Sequence, residues 1–280
     1  SMIRGEHQSK GGSSPIIRFI LGFFVMIGAL MFLGCPIRMI LRLGGGDLNA
    51  LFGIAGFAGG IGFGTIFLKK GYSLQRTYAL SKLESAMMPA IQVGLLVLVV
   101  AAPAFIFFSQ KGPGAMHAPW LISLAAGIVV GGLSQFSRLC TVGGFRDLFL
   151  FKKSILIFGY LAVLVGVFVV NISFGNFHLG FENQPIAHTD GLWNFLGMAL
   201  AGFCSVLLGG CPLRQLIMTG EGNSDSAVTV LGLAAGAAFA HNFGLAASGA
   251  GPTLNGEIAV VVGFIVALII AVVNTKRVNA

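Results

Sequence analysis

The stretch Gly34-Cys35-Pro36-Ile37-Arg38 recurs 176 residues later as Gly210-Cys211-Pro212-Leu213-Arg214. Each copy follows an apolar segment long enough to cross a membrane. Proline ends a helix and leaves a carbonyl without its partner, and unpaired backbone persists at membrane depth only where protein or a polar cavity satisfies it. The two motifs therefore predict broken membrane segments around a polar path, which is typical of transport.

The composition indicates that the whole chain lies in a membrane. Of its 280 residues, 56% are hydrophobic and only 9% are charged, whereas soluble domains carry about 25% charged residues. We therefore expect an all-α polytopic membrane protein with one membrane domain, residues 1–280, in which some segments are broken or re-entrant. A crossing needs about 20 apolar residues. Eight stretches qualify, near 16–34, 48–68, 87–109, 118–137, 154–174, 191–209, 226–247 and 257–274.

The basic residues predict the orientation of the chain. With the N-terminus inside, only Arg38, Arg42 and Lys111 of the 17 Lys and Arg residues fall on the outer side. This is the bias of the positive-inside rule. We expect a multi-pass protein of the cytoplasmic (inner) membrane with both termini in the cytoplasm, and with His117, His178 and His188 solvated in outer loops. The net charge of +8 thus reflects topology and does not indicate nucleic-acid binding.

The likeness between the two copies extends beyond the motif. A glycine-containing turn that ends in helix-capping residues follows each copy, and a Gly- and Ala-rich apolar segment comes next. An odd number of segments separates the copies, which predicts an inverted-topology repeat. We assign 16–110 to a first repeat and 118–274 to a second. The first is expected to be incomplete, by truncation or loss, because a counterpart of the stretch around Cys140 would precede residue 1.

Three cysteines are the candidates for lining the path. Cys35 and Cys211 lie in the repeated motif, and Cys140 lies in a third stretch between Arg138 and Arg146. Nearby cations lower the pKa of a thiol, so Cys140 is either reactive or a cysteine that happens to lie in a basic loop. Cys35 and Cys211 either face the path or pack as small residues at helix ends. Their recurrence in two inverted copies favours the path.

The candidates for anion binding or support are Arg38, Arg214, Arg138, His241 and Asn242. An arginine costs roughly 2.5–3.5 kcal/mol at the centre of a membrane helix, and an anion would explain that cost; snorkelling to headgroups is the alternative. The His-Asn pair lies inside a predicted segment, where it either lines the path or bonds a neighbouring helix. The cysteine spacing gives no disulfide framework and no zinc site. We expect no metal, no cofactor and no catalytic residue.

These stretches resemble the YeeE/YedE family of sulfur-compound transporters, whose characterised members take up thiosulfate. The resemblance covers nearly the whole chain, is most specific at 32–38, 137–147, 208–214 and 240–244, and is greatest towards the YedE-type selenium-transporter branch. It implies that thiols at short helix-loop elements along a central constriction hydrogen-bond the substrate, a role that falls on Cys35, Cys140 and Cys211. Relatives in the selenium branch usually begin with an extra cysteine-bearing segment that this chain lacks.

The sequence therefore predicts a transporter, not an enzyme, whose partners are the bilayer and a small sulfur- or selenium-containing anion. A dianion that enters a cell negative inside is opposed by about 4.6 kcal/mol per 100 mV, so uptake requires a co-transported cation or rapid consumption. One alternative is a membrane thiol protein that passes sulfur or selenium covalently to a cytoplasmic sulfurtransferase-like acceptor. Another is a structural subunit, which would carry no flux in liposomes.

Overall fold

The structure is a computed structural model that describes residues 10–74, 77–101, 118–153 and 155–275. Within these ranges the chain is mostly helical, with one short antiparallel strand pair, β1 (Lys10–Gly11) and β2 (Tyr78–Ala79). The helices are α1 (Pro15–Phe32), α2 (Pro36–Gly44), α3 (Asn49–Lys69), α4 (Lys82–Ala101), α5 (Trp120–Ser137), α6 (Thr141–Phe151), α7 (Ile155–Ser173), α8 (Gly191–Leu208), α9 (Pro212–Gly220), α10 (Ser224–Asn242) and α11 (Leu254–Val273).

Each of the eight segments expected from the sequence overlaps a long helix within the described residues, and the mostly helical structure confirms the helical class. Six helical stretches of the described chain are long and apolar enough to cross a membrane, and α4 and α10 are not among them. The apolar part of α4 is the short stretch Ala86–Ala101, and α10 is rich in alanine and glycine. Eight crossings therefore remain a prediction. The end of the third segment (102–109), Lys111 and His117 lie outside the described residues.

Three parts of the chain share one order of elements. In each, an 18-residue helix (α1, α5 or α8) ends at a residue with left-handed backbone, namely Leu33 (φ 63°), Arg138 (φ 52°) or Gly209 (φ 84°). A short helix (α2, α6 or α9) begins three residues later. The left-handed residue turns the chain sharply, so each long helix is broken and the chain continues as a short helix.

The units α1–α2–α3 and α8–α9–α10 correspond more closely still. Helices α1 and α8 are offset by 176 residues at both ends, and so are α2 and α9. The turn after each short helix contains a glycine with left-handed backbone at the equivalent position, Gly46 (φ 99°) or Gly222 (φ 85°). Glycine adopts this conformation without strain. The sequence likeness between the two copies therefore extends to backbone geometry.

The long helices of the two units pack at the centre of the fold by close backbone contacts at glycines. A Cβ atom at Gly56 or Gly60 of α3 would collide with the carbonyl of Phe195 or Ala199 in α8. Both contacts advance by four residues along each chain, so α3 and α8 are parallel. The equivalent positions of the other unit make the equivalent contacts, since Gly232 and Gly236 of α10 meet the carbonyls of Phe19 and Phe23 in α1.

Helices α1 and α8 are antiparallel. The start of α1 and the end of α8 line the same pocket through Arg18 and Leu208, whereas the carbonyl of Met31, near the end of α1, contacts His188, just before α8. The first helices of the two units thus run in opposite directions. Cys204 is buried in the core that α1 and α8 share.

The ends of the described chain lie at one face of the helix assembly. Lys10 and Gly11 of β1 pair with β2, and Thr275 forms a bridge with Tyr72, just after α3. The loop at 175–190 covers the opposite face, where the carbonyl of Gly180 accepts a hydrogen bond from the Leu48 N–H at 3.0 Å.

The expectation that His188 is solvated is wrong. Its side chain is only 2% exposed, and its Nε2 lies 2.8 Å from the carbonyl oxygen of Met31. The last carbonyls of a helix have no intrahelical partner, so the imidazole caps the end of α1. Burial lowers the pKa of His188 below its ordinary value and favours the neutral ring.

Candidate functional site

Each of the three candidate cysteines is the residue that immediately precedes a short helix. Cys35 (φ −77°, ψ 170°) and Cys211 (φ −70°, ψ 164°) have nearly the same extended backbone, and a proline occupies the first helical position after each. Proline suits this position because its missing N–H has no intrahelical role there. Cys140 precedes α6, and its Sγ accepts a hydrogen bond from the Gly143 N–H at 3.3 Å. All three thiols thus lie at helix N-termini, which carry unpaired N–H groups and partial positive charge.

The structure places the three cysteines near one tyrosine and brings two of their thiols together. The thiols of Cys140 and Cys211 adjoin each other, and both cysteines are buried. Tyr160 of α7 donates its hydroxyl hydrogen to the carbonyl of Pro36 at 2.9 Å and lies within electrostatic reach of both Cys35 and Cys211. The half-buried Cys35 and the fully buried Cys211 therefore approach Tyr160 from two different units of the fold.

The surroundings of the thiols are apolar. Cys140, Cys211 and Tyr160 belong to one buried cluster with the side chains of Phe32, Met39, Ile40, Phe57, Ile61, Val142, Met198 and Val206. The ring of Phe145 packs edge-on against both Tyr160 and Phe57. A low local dielectric strengthens each hydrogen bond made there, so the thiols and the phenol hydroxyl are groups through which a polar solute would be recognised.

The arginine of each Gly-Cys-Pro motif folds back over the glycine of the same motif. A Cβ atom at Gly34 would lie 2.8 Å from the Arg38 side chain, and one at Gly210 would lie 3.4 Å from Arg214. Glycine therefore leaves room for the arginine. Arg214 donates to the Oε1 of Gln135 at 3.4 Å, whereas the buried Nε of Arg38 has no hydrogen-bond partner among the described residues. Arg38 thus retains an unused donor three residues from Cys35.

The other residues that the sequence singled out lie elsewhere. Arg138 is exposed at the left-handed position after α5. His241 and Asn242 are exposed at the end of α10, and the Asn242 amide bonds within its own helix, to the Ala238 carbonyl at 2.7 Å. No contact within the described ranges joins His241 or Asn242 to the three thiols, and no three His, Cys, Asp or Glu side chains there are grouped so as to hold a metal ion.

Two supporting features were missed by sequence reasoning. Tyr160 is the one tyrosine of α7, and its hydroxyl in an apolar segment was a usable signal. Arg42 was read only as an outer charge, yet it is buried, pairs with Asp47 at 2.6 Å, donates to the carbonyl of Phe32 and stacks 4.0 Å from the Phe32 ring. This ion pair fastens the end of α2 to the turn that follows and to the end of α1.

A family model described as sulphur transport matches residues 136–277, slightly more than half of the chain. The chain belongs to this sulphur transport family. With its membrane-length helices, it is a multi-pass membrane protein and a transporter of sulfur compounds. The matched residues include Cys140 and Cys211, while Cys35 precedes them and is related to Cys211 by the equivalence of α2 and α9. No curated protein matches the chain.

Proposed function

We propose that this chain imports a small anion of the thiosulfate type, or a selenium analogue, along a path lined by Cys35, Cys140 and Cys211. The observation that carries the proposal is the convergence of three cysteines, each at the start of a short helix, around Tyr160. Thiols are weak hydrogen-bond donors. A sequence of weak sites lets a solute enter and also leave, which conduction requires.

Positive potential along the path would favour an anion. The three short helices direct their N-termini towards the cysteines, and anions bind readily at helix N-termini. Arg38 adds a cation with a buried unpaired donor. These groups offset the unfavourable membrane potential only locally, so net import still needs a co-transported cation or rapid consumption of the anion inside the cell.

The two units α1–α2–α3 and α8–α9–α10 form an inverted-topology repeat in this proposal. Its support is the antiparallel packing of α1 and α8 and the equivalent glycine contacts of α3 with α8 and of α10 with α1. The repeats would extend over 16–110 and 118–274. An anion would then meet Cys35 from the outer side and leave past Cys140 and Cys211 on the inner side.

In the proposed orientation the protein lies in the inner membrane, and the face that holds the chain ends is exposed to the cytoplasm. Support comes from the basic residues Lys10, Arg18, Lys69 and Lys70, which lie at the start of α1 or the end of α3, on that face. Basic residues concentrate on the cytoplasmic side of membrane proteins.

A covalent alternative has one specific observation in its favour, the adjoining thiols of Cys140 and Cys211. The Cys211 thiolate would attack the outer sulfur of thiosulfate, break its S–S bond, form a persulfide and release sulfite. A thiolate of a cytoplasmic sulfurtransferase-like acceptor would then take the outer sulfur and regenerate the Cys211 thiolate. Intact-mass measurement after thiosulfate exposure distinguishes the two mechanisms, since a gain of one sulfur atom on the chain indicates the covalent one.

Counterflow in proteoliposomes tests the proposed function directly. Vesicles loaded with unlabelled thiosulfate should accumulate labelled thiosulfate from outside, and empty liposomes should not. Selenite and sulfate added outside in separate arms identify the preferred anion by competition. If the folded, reconstituted protein carries none of these anions, the proposal is wrong.

A further inference from the structure

An open pocket of about 420 Å³ lies at the face that holds the start of α1 and the end of α8. Its polar lining consists of Ser13, Arg18, Tyr72, Ser73, Thr77 and Arg146. Two arginines and four hydroxyl groups thus meet there, and no carboxylate is part of the described lining. Hydrogen-bond donors and guanidinium groups on a lining free of carboxylates are the chemistry that recognises an oxyanion.

Tyr72 supplies the observation that points to a ligand. The residue is only 7% exposed, and its hydroxyl has no hydrogen-bond partner among the described residues. Buried hydroxyl groups are nearly always paired, so an unpaired one requires an explanation. Burial also raises the pKa of Tyr72 above its ordinary value, which keeps the hydroxyl protonated and available as a donor.

The two arginines are held in place by neighbouring groups, and the carboxylates among these lie outside the larger pocket. Arg18 donates to the Ser13 carbonyl at 2.8 Å and lies 3.6 Å from Asp225, and Arg146 lies 2.8 Å from Asp147. Asp225 lines a smaller adjoining pocket of about 170 Å³, not the larger one. The carboxylates therefore position the guanidinium groups without occupying the space where an anion would bind.

The position of the pocket links it to the thiols. Gly209 lines both pockets and lies two residues before Cys211. We propose that the larger pocket is a second binding station for the transported oxyanion, which holds the anion on the proposed cytoplasmic side after it leaves the thiols. The role of this station in transport rests on the proposed function. Anion binding in the pocket does not require the thiols.

Thiosulfate titration by calorimetry on the purified full chain in detergent tests the station. The Cys211→Ala protein, which lacks a path thiol, should still bind thiosulfate. Adding Tyr72→Phe to it removes one hydrogen bond to an anion and should weaken binding about tenfold. Tyr78→Phe is the matched control, because Tyr78 is exposed in β2 and is not part of the pocket lining, and it should leave the affinity unchanged.

The melting temperature of each variant establishes that it is folded; Tyr72→Phe should melt no lower than its parent, since it removes an unpaired buried hydroxyl. Equal thiosulfate affinity with and without the Tyr72 hydroxyl overturns the station, even if flux is normal and depends on Cys211. If the chain carries no flux but Tyr72-dependent thiosulfate binding persists, the proposed transport fails and the binding site stands. Arg146→Gln repeats the comparison at another lining residue, and unchanged affinity there also counts against the station.

Discussion

At the residue scale, Arg42 and Asp47 show how the two units solve one structural problem with different chemistry. In the first unit the turn after the short helix is held by a buried ion pair. In the second unit Met218 and Asn223 occupy the equivalent positions. The backbone is the same in both, since the N–H of Asp47 or Asn223 donates to the carbonyl of Arg42 or Met218 at 3.0 Å. The ion pair is therefore not needed for the turn itself.

This comparison predicts the effect of breaking the pair. Arg42→Met leaves Asp47 buried without its cation and should reduce the free energy of unfolding by about 3–5 kcal/mol. The double variant Arg42→Met, Asp47→Asn reproduces the residues of the second unit and should recover most of that loss. Thermal unfolding in detergent measures both. A double variant as unstable as the single one would show that the two turns are not equivalent.

His188 predicts a pH dependence of stability. Its pKa is lowered in the folded protein by burial, whereas a histidine in the unfolded chain has a pKa of about 6.5. The unfolded state therefore binds more protons, and stability should fall as the pH drops below about 6.5 towards the folded pKa. His188→Gln should flatten this dependence, because glutamine does not titrate. Its amide can still donate a hydrogen bond to the Met31 carbonyl, so the cap of α1 is kept.

The matched control for His188 is His178→Gln, since His178 is exposed in the same loop. This variant should keep the wild-type fall in melting temperature between neutral pH and pH of about 5. An identical pH dependence in wild type and His188→Gln would mean that other groups cause it.

At the element scale, the broken helices were the most predictable part of the fold. The Gly-Cys-Pro motif contains the signal that ends one helix and starts the next, because proline is favoured at the first helical position. The position of the cysteines near Tyr160 was not predictable in the same way. Tyr160 lies 125 residues from Cys35 along the chain and reaches Pro36 only through the packing of α7. Local sequence carries no information on that contact.

Two histidines show why the burial of a polar residue is hard to predict from the sequence. His188 lies in a polar loop and is expected to be exposed, yet the loop covers the end of α1 and buries the ring against a helix carbonyl. His241 reads as a polar residue inside a segment, yet it is exposed at the end of α10. For both residues the burial of the side chain depends on tertiary packing, which the local sequence does not reveal.

The close contact between α3 and α8 predicts a sharp difference between neighbouring glycines. Gly56→Ala places a Cβ atom against the Phe195 carbonyl and should destabilise the protein by roughly 1–3 kcal/mol, the usual effect of overpacking. Gly59→Ala on the same helix meets only the ring edge of Phe195 at 3.8 Å and should be neutral or stabilising by up to about 1 kcal/mol. Melting temperatures in detergent compare them, and equal values would contradict the packing.

At the scale of the whole molecule, the arrangement of the chain ends predicts the topology. Strand β1 pairs with β2, and Thr275 contacts Tyr72, so both ends of the described chain lie at one face. Reporter fusions to the N-terminus and to the C-terminus should therefore report the same, cytoplasmic side. A cysteine introduced at Glu182, in the loop on the opposite face, should react with an impermeant reagent added outside intact cells. Reporters on opposite sides would contradict this topology.

The central claim is that Cys35, Cys140 and Cys211 line the path of a sulfur anion, and labelled thiosulfate uptake into proteoliposomes tests it most directly. The matched pair is Cys211→Ala and Cys204→Ala, because both remove a buried thiol and Cys204 lies in the α1–α8 core away from Tyr160. We predict that Cys211→Ala abolishes uptake while the protein remains folded, and that Cys204→Ala retains it. Full uptake by a well-folded Cys211→Ala protein would contradict the claim.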